Sequence, residues 1–327
     1  MQRIIRHIAL AILLCATLSS CFRRPLHELD TTVLVDINIE TDITNYEVKS
    51  LPKLMRVIFY DHDNGAMISQ NFVGPEGGPV KVLPGRTYDV VCYNFDTEVT
   101  FVENENRFSS SYATTNLIPE VYKKKLGTRA TSGSKQESPD QKAVEEEFAF
   151  DPDHLFVGRA TDVYVPTRGE DQAPVVIGLD AKTVVESWII ELTAIKGQEY
   201  IGSMSCVITG LAAGNWISYD RRSEEYRTVY FETVSISEDG FMVARFNTFG
   251  LNPAANTRQR ISLIISDLAG KKYPYDIDVT EQFRDNPEQI IRIETDKIVI
   301  EEPEHTGGGG MNPDVDEWED IVTDIEI

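Results

Sequence analysis

The chain has 327 residues, and its 53 acidic against 31 basic side chains give a formal net charge of −22. A balance this acidic repels phosphate, so it excludes the basic patch on which nucleic-acid binding depends, and it gives the folded part no attraction to anionic lipid. The length is sufficient for two domains of about 100 to 150 residues, each large enough to bury a core without disulfide staples.

The first twenty residues have the pattern of a secretory signal. Arg3 and Arg6 precede an apolar run over 8–14, which is shorter than the roughly 20 residues that cross a bilayer. The run Leu18-Ser19-Ser20-Cys21 resembles a bacterial lipobox. An ordinary signal peptide with a chance cysteine is the alternative.

The lipobox resemblance implies a lipid anchor on Cys21. Residues 1–20 are then the lipoprotein signal peptide, the thiol of Cys21 carries an acyl chain such as palmitate, and residues 21–30 form a lipidated tether. We therefore expect a lipoprotein that contacts the membrane through this lipid.

Period-two alternation predicts a first β-sandwich domain over residues 31–173. Val33, Val35, Ile37 and Ile39 share one face of its first strand. An Asn-Gly turn and a Pro-Gly turn favour hairpins. They join the next predicted strands into a meander, over 54–60, 67–73, 80–83 and 87–95.

The pattern then weakens, and residues 128–147 contain almost nothing apolar, which predicts a disordered insertion in the first domain. We expect the runs 155–157 and 163–165 to return and complete the first sheet.

A second β-sandwich domain is predicted over residues 174–300. Its strands are separated by turn signals without intervening helices, which favours an all-β fold of two antiparallel sandwiches in tandem. The predicted strands cover 188–192, 204–211, 227–236, 241–249, 261–265, 273–279 and 290–300, with hairpins joining the third to the fourth and the fifth to the sixth. Cys92 and Cys206 lie in apolar strands of different domains, so we expect two buried free thiols.

The final segment, 301–327, has a Gly-rich linker and ten acids without Lys or Arg. Its last residues alternate, with Ile321, Thr323, Ile325 and Ile327 on one face. This segment is either a flexible acidic tail or a strand that docks on a sheet edge of its own chain or of a partner.

The sequence offers no catalytic pattern, and we expect no catalytic residues, no cofactor and no metal site. The sequence contains no His-Glu-x-x-His, Cys-x-x-Cys, G-x-S-x-G or phosphate-loop motif. Asp61-His62-Asp63-Asn64-Gly65 has some features of a calcium loop, but Phe72 stands where a bidentate Glu is required, which favours a simple hairpin turn. A carboxylate pair at glycosidase spacing stays open.

Aromatic residues are frequent in the second domain and allow two interpretations. They form either a glycan-binding face or, as is common for aromatics in strands, the sheet core. The residues concerned are Trp188, Trp216, Tyr219, Tyr226, Tyr230 and Phe231.

Several segments resemble a family of uncharacterised lipoproteins of Bacteroides and related bacteria. They are residues 21–26, 83–98 and 316–320, while Ile208–Ala212 and Phe246–Gly250 are similar to segments of fimbrial anchor lipoproteins from the same bacteria. The resemblance implies two transthyretin-like domains, an outer-membrane anchor at Cys21 and no catalytic residues to carry over.

The function expected from these features is non-enzymatic anchoring of a surface fimbrium in pilus assembly and cell adhesion, at the cell surface or on the periplasmic face. Fimbrial subunits are the expected partners, bound through β-strand addition, and nucleic acid is not a partner. The alternative is a glycan-binding lipoprotein of a nutrient-uptake system.

Overall fold

The structure is a computed structural model that describes residues 31–119, 147–167, 173–231, 235–236, 242–253, 257–294, 296–303 and 323–325. The described chain is built almost entirely of β-strands, which confirms the predicted all-β class. The predicted insertion at 128–147 lies outside the described residues except for Glu147.

The strands of the N-terminal half follow the predicted alternation closely. In the first strand, Val33, Val35 and Ile37 are buried while Leu34, Asp36 and Asn38 are exposed. The elements are β1 (Thr31–Ile39), β2 (Asp42–Ile43), β3 (Tyr46–Glu47), β4 (Met55–Asp61), β5 (Met67–Val73), β6 (Gly77–Val82), β7 (Arg86–Asn94), β8 (Thr100–Glu103), the 3-10 turn Phe108–Ser110, β9 (Tyr112–Thr115), β10 (Phe148–Phe150), β11 (Phe156–Val165) and β12 (Val175–Thr183).

The C-terminal half continues in the same way, with one short helix. Its elements are β13 (Glu186–Thr193), the 3-10 turn Gln198–Tyr200, β14 (Ile201–Ala212), β15 (Gly214–Trp216), β16 (Arg221–Arg222), β17 (Tyr226–Phe231), β18 (Ser235–Ile236), β19 (Met242–Thr248), β20 (Arg260–Asp267), β21 (Lys272–Asp278), the helix α1 (Thr280–Phe283), β22 (Ile290–Glu294) and β23 (Thr323–Ile325).

The first sheet has the order β5-β4-β7-β11-β12-β1-β6. Residues from all seven strands enter one hydrophobic cluster, which includes Val35, Phe59, Val90 and Leu179. Because one face of a single sheet surrounds this core, the sheet must be strongly curved. Its two edge strands, β5 and β6, are joined by a short turn in which Gly74 forms a bridge with Gly77.

The predicted meander is wrong at β6, because β6 pairs with β1 and not with β7. Gly77 makes this pairing possible, since a Cβ atom there would lie 2.1 Å from the carbonyl oxygen of Val35 in β1. The Pro-Gly turn at 84–85 therefore does not form a hairpin between β6 and β7. After the turn, β7 pairs with β4 and β11.

The second half, together with β10 of the first half, forms a sandwich of two sheets. One has the order β10-β17-β14-β20-β21-β23, the other β18-β19-β13-β22. Their inner faces share one core, to which Ile208 and Leu263 contribute from the first sheet and Trp188, Phe246 and Ile291 from the second.

The predicted hairpin between residues 227–236 and 241–249 is confirmed only at its tip, where Ser235 and Ile236 of β18 pair antiparallel with Val243 and Met242 of β19. It is wrong for β17. β17 pairs with β14 and β10, whereas β19 pairs with β13 and the short β18. Phe231 of β17 and Phe246 of β19 stack across the core with ring centroids 4.7 Å apart, so the two strands face each other from opposite sheets. The hairpin predicted between 261–265 and 273–279 is confirmed as β20 and β21.

The two halves share a sheet of order β16-β15-β9-β8, with β8 and β9 from the first half and β15 and β16 from the second. A third core lies beneath it, formed by the outer faces of β4 and β7 together with Ala212, Ile217 and Phe249. The boundary predicted at residue 174 falls one strand early, because β12 pairs with β1 and β11 of the first sheet.

The pairing within the sheets is mixed and not purely antiparallel. Among the described strands, β1 with β12, β10 with β17, β13 with β22 and β21 with β23 are parallel pairs. Each joins segments that are distant along the chain, which a tight hairpin turn cannot do.

Candidate functional site

Cys21, the predicted lipidation site, lies outside the described residues together with the signal peptide and the tether. The described chain starts at Thr31, the first residue of β1. Lipidation of Cys21 therefore stays a prediction.

The C-terminal segment supplies one added edge strand. Tyr275 and Ile277 of β21 pair in parallel with Thr323 and Ile325 of β23. Residues 323–325 therefore form a strand that docks on a sheet edge of their own chain. Residues 304–322 of the acidic tail lie outside the described part.

An aromatic and arginine cluster lies beside the edge strand β5 on the outer face of the first sheet. The guanidinium carbon of Arg56 lies 5.7 Å from the ring centroid of Phe72 and 5.2 Å from that of Phe95, which are themselves 5.3 Å apart. Arg56 also forms an ion pair of 2.8 Å with Glu105. Leu54 adjoins the cluster, because its carbonyl oxygen accepts a hydrogen bond from the backbone N–H of Phe95.

We call Leu54, Arg56, Phe72 and Phe95 the β5 patch. Phe72 is 49% exposed and Phe95 is 48% exposed. No sequence motif marks this patch as a candidate site. The sequence feature that could have indicated it is Phe72. This residue lies between Asn71 and the buried Val73, at an outward position of β5 where alternation predicts a polar side chain.

A buried polar network joins the two halves at His154. The Nδ1 atom of His154 lies 2.9 Å from Thr183 Oγ1, and its Nε2 atom lies 2.9 Å from Ser187 Oγ, which donates to Asn247 Oδ1. Tyr46 covers the imidazole with a centroid distance of 3.8 Å.

The contact between His154 and Ser187 does not have the features of a nucleophile and its base. Ser187 is 5% exposed and its hydroxyl hydrogen is committed to Asn247, while a hydroxyl and not a carboxylate faces His154 Nδ1. Burial lowers the pKa of His154 to about 4, so the imidazole is neutral at physiological pH. The network is a structural joint.

Two carboxylates flank this joint and differ in their roles. The Oδ2 atom of Asp153 accepts hydrogen bonds from the backbone N–H groups of Glu98, Val99 and Thr100 at 2.7, 2.7 and 3.2 Å, which fixes the loop before β8. Burial raises the pKa of Asp151 to about 6.

The turn with the features of a calcium loop is a hairpin turn. Asp61 Oδ1 accepts from the backbone N–H groups of Asp63 and Asn64, and the Gly65 N–H donates to the Asp61 carbonyl oxygen at 2.8 Å. His62 points away to Asp89, with 2.9 Å between Nδ1 and Oδ1, and this hydrogen bond raises the pKa of His62.

The aromatic residues of the second half do not form one exposed face. Trp188 and Phe231 are buried in the sandwich core. Tyr230 packs against a small cluster with Ile118, whereas Tyr219 is 54% exposed and contacts Phe108 edge-on. These positions favour the sheet-core interpretation over a glycan-binding platform.

The free thiols agree with the prediction. Cys92 and Cys206 are both buried and unpaired by any disulfide. Burial raises the pKa of Cys92 to about 12 and also raises that of Cys206, which makes both thiols unreactive near neutral pH.

The described residues offer neither a metal cluster nor a membrane-spanning helix. These residues contain no group of three or more His, Cys, Asp or Glu side chains placed to hold a metal ion. They also form no helix with the length and apolar character needed to cross a bilayer.

Comparison with known proteins gives a full-length relative. The chain is 26% identical over 337 residues to a Bacteroides ovatus protein named "Putative fimbrium anchoring subunit Fim4B", and the match covers 92% of each chain.

A solved structure with a TM-score above 0.5 shares the fold. A Bacteroides ovatus structure described as a "putative adhesin" has a TM-score of 0.59 at 21% identity and is matched over 87% of this chain and 98% of its own. The fimbrial anchor protein Mfa2 from Porphyromonas gingivalis has a TM-score of 0.46 at 11% identity, over 81% of this chain and 91% of its own.

One family model matches residues 20–232, which cover the first sheet, the shared sheet and β13 to β17 of the second half. This span is well over half of the 327 residues. The chain therefore belongs to the family described as "Domain of unknown function (DUF5119)".

Proposed function

We propose that this chain is a non-enzymatic, membrane-anchored lipoprotein that serves as the anchor or an accessory subunit of a surface fimbrium. The observation that carries the proposal is the match to a protein named as a fimbrium anchoring subunit, because it spans 92% of both chains. The shared fold with an adhesin structure supports it. A location in the cell envelope or at its surface follows from this role.

The geometry of the described residues supports a role without catalysis. The contact between His154 and Ser187 is a closed hydrogen-bond network, and the two thiols are buried. An enzyme instead needs reactive groups that converge on an accessible pocket.

We further propose that a lipid on Cys21 holds the protein to the outer membrane, at the cell surface or on its periplasmic face. The net charge of −22 supports this attachment, since an acidic folded part is repelled by anionic headgroups and needs a hydrophobic anchor.

The anchor is tested with Cys21→Ala in the organism's own cells. We expect the variant to leave the membrane fraction after a carbonate wash, whereas Cys15→Ala, a cysteine of the same segment, stays membrane-bound. Retention of the Cys21→Ala protein in washed membranes would contradict the lipid anchor.

The fimbrial role is tested by affinity purification of the tagged full-length protein from the same cells. We expect fimbrillin-like subunits to co-purify, and fimbriae to detach from cells that lack the protein. Purification without any fimbrial subunit would contradict the proposed function.

A further inference from the structure

Among the described residues, the edge strand β5 has a neighbouring strand on one side only along most of its length. It ends the first sheet and pairs with β4 on its inner side. On its outer side, Met67 N–H donates to the Asn106 carbonyl oxygen, and the bridge between Gly74 and Gly77 follows its last residue. No other described residue pairs with the backbone of the stretch between these two contacts, and an unpaired edge of this kind is a template for another strand.

The core-facing side of β5 is polar where the neighbouring strand β4 is apolar. Ser69 and Asn71 alternate with the outward Gln70 and Phe72. The Oγ atom of Ser69 and the Nδ2 atom of Asn71 are buried, yet neither has a hydrogen-bond partner among the described residues. A buried polar atom without a partner costs about 1–3 kcal/mol, so natural proteins rarely leave one unsatisfied.

The outward side of the same edge carries large apolar side chains. Phe72 and Phe95 are half-exposed, and the charge of Arg56 between them is balanced by Glu105. The β5 patch is thus an uncharged area on a protein of net charge −22.

The charge distribution selects the kind of occupant. A second copy of this chain also has a net charge of −22, and the repulsion between the two copies disfavours self-association. A neutral segment of a different protein meets no such repulsion at the β5 patch. Its backbone polar groups can pair with the free edge of β5.

We propose that β5 and the β5 patch bind an extended, uncharged segment of a fimbrial subunit, with large apolar side chains at alternate positions that pack against Phe72 and Phe95. The identity of the partner as a fimbrial subunit rests on the proposed function. Main-chain hydrogen bonds along β5 supply affinity, and the two aromatic rings select the register and the side chains.

The proposal is tested by photo-crosslinking in cells. The residue Phe72 is replaced by p-benzoylphenylalanine, which keeps an aromatic ring at the half-exposed position. Val176 on β12 is replaced in the same way as a control, because it is 59% exposed and lies outside the β5 patch. We expect a crosslink to a fimbrial subunit from position 72 and none from position 176.

A binding measurement with the purified full-length protein and the co-purified subunit gives a second test. We expect Phe72→Ser to weaken binding by about tenfold or more and Val176→Ser to leave it unchanged. Both side chains are exposed, so thermal melting shows that each variant folds.

The outcomes separate this proposal from the fimbrial role. Subunits that co-purify with the wild-type protein but neither crosslink from position 72 nor bind less tightly to Phe72→Ser overturn the β5 contact alone. A crosslink from position 72 to a non-fimbrial protein, with no fimbrial subunit co-purified, overturns the named partner together with the proposed function.

Discussion

Asp151 and His154 lie three residues apart in one loop, and burial moves their pKa values in opposite directions. Burial penalises the charged form of each side chain, so it raises the pKa of Asp151 to about 6 and lowers that of His154 to about 4. The fold thus keeps His154 neutral in its hydrogen-bond network, while Asp151 is ionised at pH 7 at a cost to stability.

Replacement of Asp151 by Asn is expected to stabilise the protein near neutral pH. The folded-state pKa is raised, so the stability linked to this group is fully present below about pH 4 and is lost as the pH rises to about 6. Asp151→Asn removes this loss and should gain about 2–3 kcal/mol in the free energy of unfolding above pH 6.

Urea denaturation of both proteins between pH 4 and pH 8 measures this gain. The advantage of Asp151→Asn should shrink below pH 6 and vanish near pH 4. A constant difference at every pH would show that the side chain acts through packing and not through its charge. Asp96→Asn, at an exposed carboxylate of the first half, serves as the control.

The two described histidines of the folded part should titrate in different pH ranges. The hydrogen bond to Asp89 raises the pKa of His62, and burial lowers that of His154 to about 4. NMR of the imidazole resonances should therefore show His62 becoming charged above its ordinary pKa of about 6.5. His154 should stay neutral down to about pH 4. Titration of His154 near pH 6.5 would contradict the buried joint.

At the scale of elements, glycines decide which strands can meet. Gly77 admits β6 against β1, and Gly214 admits β15 against β9. A Cβ atom on Gly214 would lie 2.1 Å from the Ala113 carbonyl oxygen and 2.6 Å from the Tyr112 hydroxyl. The pairing of β15 with β9 in the shared sheet therefore requires a residue without a side chain at position 214.

Gly214→Ala is expected to destabilise the protein by about 1–3 kcal/mol or more, because backbone atoms must move to relieve the overlap. Gly178→Ala on β12 is the matched control, since its Cβ atom would meet nothing within 4 Å. That control should be neutral or stabilising by a few tenths of a kcal/mol. Thermal denaturation of both variants checks the difference, and equal melting temperatures would contradict the close approach at Gly214.

At the scale of the whole molecule, the two halves are joined by more than a linker. β8 and β9 pair in one sheet with β15 and β16, and the third core buries Ile58 and Val91 of the first half with Ile217 and Phe249 of the second. The His154 network and the hydrogen bonds from Asn45 Nδ2 to the carbonyl oxygens of Glu288 and Gln289 add polar contacts.

The described halves should therefore unfold as one unit. Independent tandem domains give two transitions, whereas a shared sheet and a shared core couple them into one. Calorimetry of the full-length protein is expected to show a single transition whose calorimetric enthalpy equals its van't Hoff enthalpy. Two resolved transitions would contradict this coupling.

The sequence by itself determined the fold class and most strands. Alternation is a local property, since successive side chains of a strand point to opposite faces, so β1, the β4 and β5 hairpin and the β20 and β21 hairpin were predictable. The burial of Cys92 and Cys206 followed from their apolar surroundings for the same reason.

Only the tertiary structure decided which strands pair across long distances and what remains unpaired. The pairing of β6 with β1, the place of β12 in the first sheet and the sheet shared by the two halves join residues far apart in the chain. No local pattern records such contacts. The β5 patch has the same origin, because Arg56, Phe72 and Phe95 become a surface only when β4, β5 and the end of β7 lie side by side.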